Sequence, residues 1–195
     1  MLPHLIEFYN NWTAKADNIT GNSLSDVYDK FITRFIIYNN LYNQVPAQLV
    51  VRGVKLPNDL GDRKKATVCV VKYLGGAKII DKLDCANKTQ DIVNITQLIE
   101  AKRFHIKLKH GASQREEDEK ILNKMSSVTK SEKAMGILEV IYHVRCNMFH
   151  GHKAIDEYQR DLVLPLADIL KEINTLLNNE LRNEINNHSV GRNLN

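Results

Sequence analysis

Long intervals of this chain contain neither glycine nor proline, and this feature most restricts how the chain can fold. The 195 residues include only 9 glycines and 4 prolines, and stretches such as 22–45 and 77–110 lack both. Because glycine and proline are the residues that most often end helices and form turns, such intervals favour helices. We therefore predict an all-α helical bundle, and the length suits a single domain over 1–195 with a proper core.

Apolar side chains recur at steps of three and four residues along these intervals, which is the spacing of one helix face. The clearest case follows Ser23 and Ser25, two candidate helix caps, and consists of Leu24, Val27, Phe31, Phe35, Tyr38 and Tyr42. Further helices are predicted over 62–74, 77–86, 90–102, 130–150 and 155–187. The last of these is expected to be interrupted or restarted at Pro165, and 188–195 to be a frayed tail.

Residues 46–125 form the variable middle of the predicted bundle. The part over 46–61 carries two prolines and two glycines, so we expect a long connection that is briefly extended at 49–51. Over 103–109, apolar and basic side chains alternate with the period of a half-buried strand, which predicts one short β element. Its basic face fits a solvated edge strand protected by lysines better than an RNA-facing ridge.

Composition and charge exclude several classes of protein. The net charge of +4 is too small to attract a polyanion strongly, although a local patch could still bind one. No apolar run approaches the roughly 18 residues of a membrane span, and the N-terminus lacks the basic region of a secretory signal, so a cytoplasmic protein without a membrane partner is expected. Cys69, Cys85 and Cys146 form no close-spaced pair, so neither a disulfide framework nor a zinc knuckle is indicated.

The interval 144–153, VRCNMFHGHK, places polar groups at the end of an otherwise apolar helix. One broad arc of this helix carries Ile137, Val140, Ile141, Val144 and Met148, so we expect the helix to be largely buried. Arg145 projects at the edge of the arc, where a guanidinium must meet a carboxylate, a phosphate or water. The opposite side carries one polar stripe of His143, Cys146, Asn147 and His150 before a helix stop at Gly151.

These side chains allow three interpretations. In the catalytic one, Arg145 stabilises an anionic transition state, His150 moves a proton near neutral pH, and Asn147 orients the substrate. In the structural interpretation, Arg145 pairs with an acidic residue of another helix and His150 helps to end the helix that carries it. The spacing favours this interpretation as much as the catalytic one. In the metal interpretation, His143, Cys146 and His150 are ligands, but a clear fourth ligand is missing, so no metal or other cofactor is predicted.

The run Arg145-Cys-Asn-Met-Phe-His150 resembles the signature of the HEPN superfamily (higher eukaryotes and prokaryotes nucleotide-binding), an arginine and a histidine separated by four to six residues. The apolar residue before the histidine and the following Gly151 are also similar to that family. Family members often carry Asn, Asp or His directly after the arginine, where this chain has Cys146, so Asn147 is assigned a supporting role. A second stretch, RFIIYNNLYN over 34–43, resembles the aromatic-rich helix that is expected to pack beside the motif helix.

The resemblance implies a helical bundle of HEPN type that forms a homodimer, with Arg145 and His150 of both chains lining one cleft. It further implies a metal-independent endoribonuclease in which His150 activates an RNA 2′-hydroxyl, Arg145 stabilises the transition state, and 2′,3′-cyclic phosphate ends are produced. His152 and Lys153 follow the helix and are weak candidates for phosphate contacts, since an exposed solvated pair explains them better.

Kinship with this superfamily also implies a biological setting. Many of its ribonucleases act as toxins or antiphage-defence effectors, and some are restrained by a nucleotidyltransferase-type antitoxin. A noncatalytic HEPN module that binds a nucleotide or a protein is the alternative function. In that case Arg145 would serve an ion pair.

Overall fold

Helices make up nearly all the regular structure in the computed structural model, which describes residues 2–109, 112–149 and 157–192. In chain order they are α1 Leu2–Asp17, α2 Leu24–Tyr42, α3 Val45–Val51, α4 Asp62–Lys64, a π-helical turn Lys65–Cys69, α5 Val70–Leu74, α6 Gly76–Cys85, α7 Thr89–Glu100, α8 Arg115–Met125, α9 Lys130–Phe149, a 3₁₀ turn Glu157–Gln159 and α10 Arg160–Arg192. Strands β1 Leu108–Lys109 and β2 Ala112–Ser113 pair antiparallel. The predicted all-α bundle is confirmed, with its short β element at β1.

The long helix α2 packs chiefly against α10 and also against α1. It begins as its sequence indicated: the Ser23 hydroxyl accepts a hydrogen bond from the Asp26 amide at 3.2 Å, and the Asp26 carboxylate accepts one from the Ser23 amide at 3.0 Å. This capping box satisfies amides that a helix start leaves without partners. On the packed face, the buried Arg34 contacts Asp168 of α10 at 2.7 Å and Asp17 of α1 at 3.5 Å, which ties the three helices together.

Helix α9, which carries the motif, is surrounded on most sides by α6, α8 and the π-helical turn. Two glycines permit the closest approaches. A Cβ atom at Gly136 would lie 2.8 Å from the backbone nitrogen of Met125 in α8, and one at Gly76 would lie 2.3 Å from the Cα of Ser131 in α9. The predicted burial of α9 is therefore correct, because neighbouring helices can pack against it without intervening side chains.

Both predictions that treated a proline as a break are wrong. Residues 49–51 are not extended, because α3 starts with Pro46 in its first turn and buries Val45 and Leu49. A proline there loses no helical hydrogen bond, since the first amides have no partner in any case. Helix α10 continues through Pro165 and reaches Arg192. Its apolar face is buried on both sides of the proline, for example at Val163 and Leu166, and this packing offsets the missing amide.

The segment over 103–109 follows the predicted alternation but is mostly not a strand. Phe104 and Ile106 are buried, as their period indicated, yet of this segment only Leu108 and Lys109 pair as a strand. None of the described helices has the length and apolarity needed to cross a membrane.

Candidate functional site

The structure places two of the predicted site residues in the last turns of α9. These are Arg145, which is half-buried, and Asn147, which is buried. The other three, His150, His152 and Lys153, lie outside the described residues. The geometry of the candidate site is therefore built around Arg145 and Asn147 and the groups that surround them.

Arg145 lies between two aromatic rings. Its guanidinium carbon is 5.1 Å from the ring centre of Phe35 in α2 and 4.8 Å from that of Phe149 at the end of α9. Stacking of this kind holds a guanidinium by its faces and leaves the N–H groups at its edge for other partners. Through Phe35, a side chain of α2 contacts the motif helix α9, although α2 packs chiefly against α10.

Arg145 forms no ion pair with any carboxylate of the described residues. One terminal nitrogen lies 3.9 Å from the Cys146 sulfur, and the buried Nε has no hydrogen-bond partner. A guanidinium removed from water in this way is costly unless an anion completes its hydrogen bonds. The partner that the structural interpretation requires is thus absent from the described part of the chain, and the donors of Arg145 favour an external anion.

Asp62, at the start of α4, is a nearby carboxylate that accepts hydrogen bonds from two tyrosines. The Tyr42 hydroxyl donates to its Oδ1 atom at 2.8 Å and the Tyr142 hydroxyl to its Oδ2 atom at 3.2 Å. Burial and the bond to Asp62 raise the pKa of Tyr42 far above its usual value, whereas the charge of Arg145 acts in the opposite direction. Both hydroxyls therefore act as protonated donors, and Asp62 is a satisfied acceptor rather than a free base.

His143 belongs to the predicted polar stripe and is half-buried in the bundle. Burial, and to a smaller extent the positive charges of Arg63 and Lys107, lower the pKa of His143 to about 4. Its buried Nε2 atom has no hydrogen-bond partner. At neutral pH this imidazole is uncharged, and its environment is that of a packed core residue.

The metal interpretation receives no support from the described geometry. Over 2–109, 112–149 and 157–192, no three His, Cys, Asp or Glu side chains are grouped as metal ligands, and the third proposed ligand, His150, lies outside these ranges. Cys69, Cys85 and Cys146 are free thiols, of which Cys69 is buried and Cys85 exposed.

Asn147 supports the site through the backbone of another segment. Its side-chain amide donates to the carbonyl oxygen of Ile106 at 2.8 Å, and both residues are buried. Asn147 thereby fixes the segment over 104–108 against the end of α9, which is a positioning role.

The imidazole of His105, which the alternating pattern placed on the outer face of the predicted strand, lies beside the segment that Asn147 holds. Asp118, which is fully buried, accepts hydrogen bonds from the amides of Ile106 at 3.2 Å and Lys107 at 2.7 Å. Its second oxygen lies 3.6 Å from Nδ1 of His105, and the Ser113 hydroxyl lies 2.9 Å from the same nitrogen. A serine–histidine–carboxylate relay uses both ring nitrogens, so this group is not one, and Nε2 of His105 is left for a ligand.

Sequence reasoning missed this cluster for a physical reason. The only sequence signal for His105 was its position in the alternating RFHIKLKHG run, which also suited an exposed basic face. Asp118 lies in the charge-rich run SQREEDEK, where a solvated side chain is the usual outcome. Only the folded chain brings the two together.

A cavity of about 270 Å³ opens between α2, the end of α9 and the start of α10. Its walls include Asp29, Ile32, Phe104, His105, Val144 and Phe149. Phe149 therefore contacts the Arg145 guanidinium and also lines the cavity. Guanidinium N–H groups without a described carboxylate partner and a largely apolar cavity are therefore neighbours here.

Such an arrangement can bind a ligand that combines a planar group with a negative charge. The resemblance to the HEPN superfamily stays a prediction, and the function is inferred from the residues and their geometry. No model of a known protein family, no curated protein and no solved structure matches this chain.

Proposed function

We propose that this protein is a metal-independent endoribonuclease of HEPN type that acts as a homodimer. The observation that supports this most is the state of Arg145: a guanidinium clamped between Phe35 and Phe149, with a buried Nε lacking a partner and no ion pair to a described carboxylate. A fixed, planar, unpaired cation is the group that a phosphodiester transition state requires, because its charge grows on the nonbridging oxygens.

In the proposed reaction, His150 removes the proton of an RNA 2′-hydroxyl, and the resulting oxygen attacks the adjacent phosphorus. The N–H groups of Arg145 donate to the nonbridging oxygens while the bond to the 5′-oxygen breaks. His150 of the partner subunit donates a proton to that departing oxygen. The products are a 2′,3′-cyclic phosphate and a 5′-hydroxyl, and DNA is not cleaved because it lacks the nucleophile.

A role as a toxin or antiphage-defence effector, restrained by a nucleotidyltransferase-type antitoxin, accompanies this proposal through the family resemblance. His152 and Lys153 remain candidates for additional phosphate contacts. The second candidate function is a noncatalytic module that binds a nucleotide or protein. The stacked, unpaired guanidinium is equally suited to holding a phosphate without cleaving it.

The experiment compares cleavage of a 5′-labelled single-stranded RNA by the wild type, Arg145→Ala and His150→Ala, all in the presence of a chelator. Arg182→Ala is the matched control, because Arg182 lies on α10 outside the site. We expect the wild type and the control to produce cyclic phosphate ends, and each site variant to lose at least about 100-fold in rate. Cleavage that both site variants retain would contradict the proposal, and Arg145-dependent nucleotide binding without cleavage would favour the binding module.

A further inference from the structure

We propose that the cavity beside Phe149 binds one nucleobase of the RNA, and that Asp29 and His105 recognise the hydrogen-bonding edge of that base. This inference rests on the proposed function, because it assigns the part of the same substrate that lies next to the cleaved phosphate. The base expected to bind best is guanine. Four features of the molecule support this inference: the size of the cavity, the contacts of His105, the absence of a described partner for Asp29, and the position of Phe149.

The size and composition of the cavity suit a single flat ring system. Its volume of about 270 Å³ lies just below the range of roughly 300–1,000 Å³ for small-molecule sites, which suits a small ligand. The walls are mainly apolar and include the aromatic ring of Phe104 and the side chains of Ile32 and Val144. A nucleobase fits such a space, because its faces are apolar and its polar groups are confined to the edge.

His105 is held in position on the cavity wall through its own backbone neighbours. The amide of Ile106 donates to Asp118 at 3.2 Å, and the carbonyl of Ile106 accepts from Asn147 at 2.8 Å. The Ser113 hydroxyl contacts Nδ1 of the ring at 2.9 Å, and the second oxygen of Asp118 lies 3.6 Å from the same nitrogen. A ring oriented in this way presents Nε2 in one fixed direction, which is the condition for recognising a ligand rather than merely tolerating it.

Asp29 is an exposed carboxylate of α2 that also lines the cavity. It forms no hydrogen bond or ion pair with the described residues. A carboxylate only accepts hydrogen bonds, so it prefers a base that offers N–H groups. Guanine presents two adjacent N–H donors, whereas uracil presents one donor between two carbonyl oxygens that a carboxylate repels. The expected order is therefore guanosine before uridine.

Phe149 connects the cavity to the reacting phosphate. One ring contacts the guanidinium of Arg145 at 4.8 Å and also forms part of the cavity wall. A base in the cavity would therefore place its sugar and phosphate at the side where Arg145 lies. Binding energy from the base would then position the phosphodiester for attack.

The test measures binding of guanosine and uridine, which carry no phosphate, to the full chain by saturation-transfer NMR. We expect the wild type to bind guanosine saturably and to bind uridine at least about 10-fold more weakly. Asp29→Asn and His105→Ala should each bind guanosine at least about 10-fold more weakly than the wild type does. Asp59→Asn, an exposed carboxylate in a loop, is the matched control and should bind as the wild type does. Ile32→Phe, which fills the cavity without removing a polar group, should abolish binding while the thermal unfolding midpoint confirms that the variant is folded.

The outcomes separate this inference from the proposed ribonuclease activity. Arg182→Ala, which lies on α10 outside both the cavity and the cleavage site, should bind guanosine as the wild type does. RNA cleavage that depends on Arg145, together with no guanosine binding or with binding that Asp29→Asn and His105→Ala leave unchanged, would overturn the base site and leave the nuclease proposal standing. Guanosine binding that depends on both side chains, without any RNA cleavage, would support the base site and overturn the nuclease.

Discussion

Arg34 and Arg145 differ in what surrounds their charge. Arg34 is buried and donates to Asp168 at 2.7 Å and to the carbonyl of Ala167 at 2.9 Å. Arg145 has aromatic rings on its faces and no described carboxylate partner. At Arg34 these contacts offset the free-energy cost of removing a cation from water. At Arg145 no described carboxylate offsets this cost, so an anionic ligand could do so by accepting its hydrogen bonds.

The replacement of each arginine by methionine should therefore affect stability differently. We expect Arg34→Met to lower the free energy of unfolding by about 2–3 kcal/mol, because it leaves its acceptors without their donor. Arg145→Met should stay within about 1 kcal/mol of the wild type, since a methionine can fill the space between the rings. Urea unfolding of both variants measures the difference. Equal losses would mean that Arg145 is a structural residue.

The half-buried His143 should make stability depend on pH. Its pKa falls from 6.5 to about 4 in the folded chain, so between these values the unfolded chain binds the proton more readily. The stability contribution is complete above pH 6.5 and is lost as the pH falls towards 4, by up to about 3 kcal/mol at 1.36 kcal/mol per pKa unit. Unfolding of the wild type and His143→Gln from pH 7 to 4 should diverge by this amount. Parallel curves would contradict the prediction.

At the scale of elements, the segment over 104–108 is fastened to two helices through one residue. Asp118 of α8 holds the amide of Ile106, and Asn147 of α9 holds its carbonyl. The alternating sequence pattern provides the apolar side chains that bury this segment, but these two side chains supply the hydrogen bonds that a sheet would otherwise give. His105 is oriented as a consequence.

A double-mutant cycle should show that the two anchors act together. We expect Asp118→Ala to cost about 3 kcal/mol and Asn147→Ala about 1–2 kcal/mol in the free energy of unfolding, because each leaves a buried backbone group without its partner. Once one anchor is lost the segment can move, so the double variant should cost at least about 1 kcal/mol less than the sum. Additive losses would show that the two helices hold the segment independently.

The sequence predicted helices wherever one local pattern was sufficient. The stripe of α2 and the apolar arc of α9 follow from spacing alone, because each helix buries one continuous face. It failed at Pro46 and Pro165, where the position of the proline within the helix decides its cost. It also failed at His105 and Asp118, 13 positions apart in the chain, since no periodicity signals a pairing between an irregular segment and a helix.

The same limit applies to the candidate site. The composition of the last turns of α9 predicted that Arg145 needs a partner, and the structure shows which described groups surround it. The apolar stripe of α2 predicts a packing role for Phe35, and no local pattern indicates that Phe35 and Phe149 stack on the guanidinium. The role of Asn147 was expected to be supporting, but its partner, the carbonyl of Ile106, belongs to a segment 41 positions away.

At the scale of the whole molecule, the proposed chemistry requires more than one chain. On a regular helix, five residues advance about 7.5 Å and rotate the side-chain direction by about 140°, so an arginine and a histidine at this spacing do not converge within one helix. The proposed homodimer with two-fold symmetry would bring Arg145 and His150 of both chains into one cleft. Light scattering should accordingly give twice the mass of a single chain at concentrations where RNA is cleaved.

Mixed dimers test this arrangement directly. A dimer of one wild-type chain and one His150→Ala chain, co-expressed with different tags, should lose at least about 100-fold in rate, because the shared cleft then lacks either the base or the acid. A dimer of one wild-type chain and one Arg182→Ala chain is the matched control and should cleave RNA as the wild type does. If the wild-type/His150→Ala dimer kept half the wild-type rate, each chain would carry a complete site of its own, and the composite cleft would have to be abandoned.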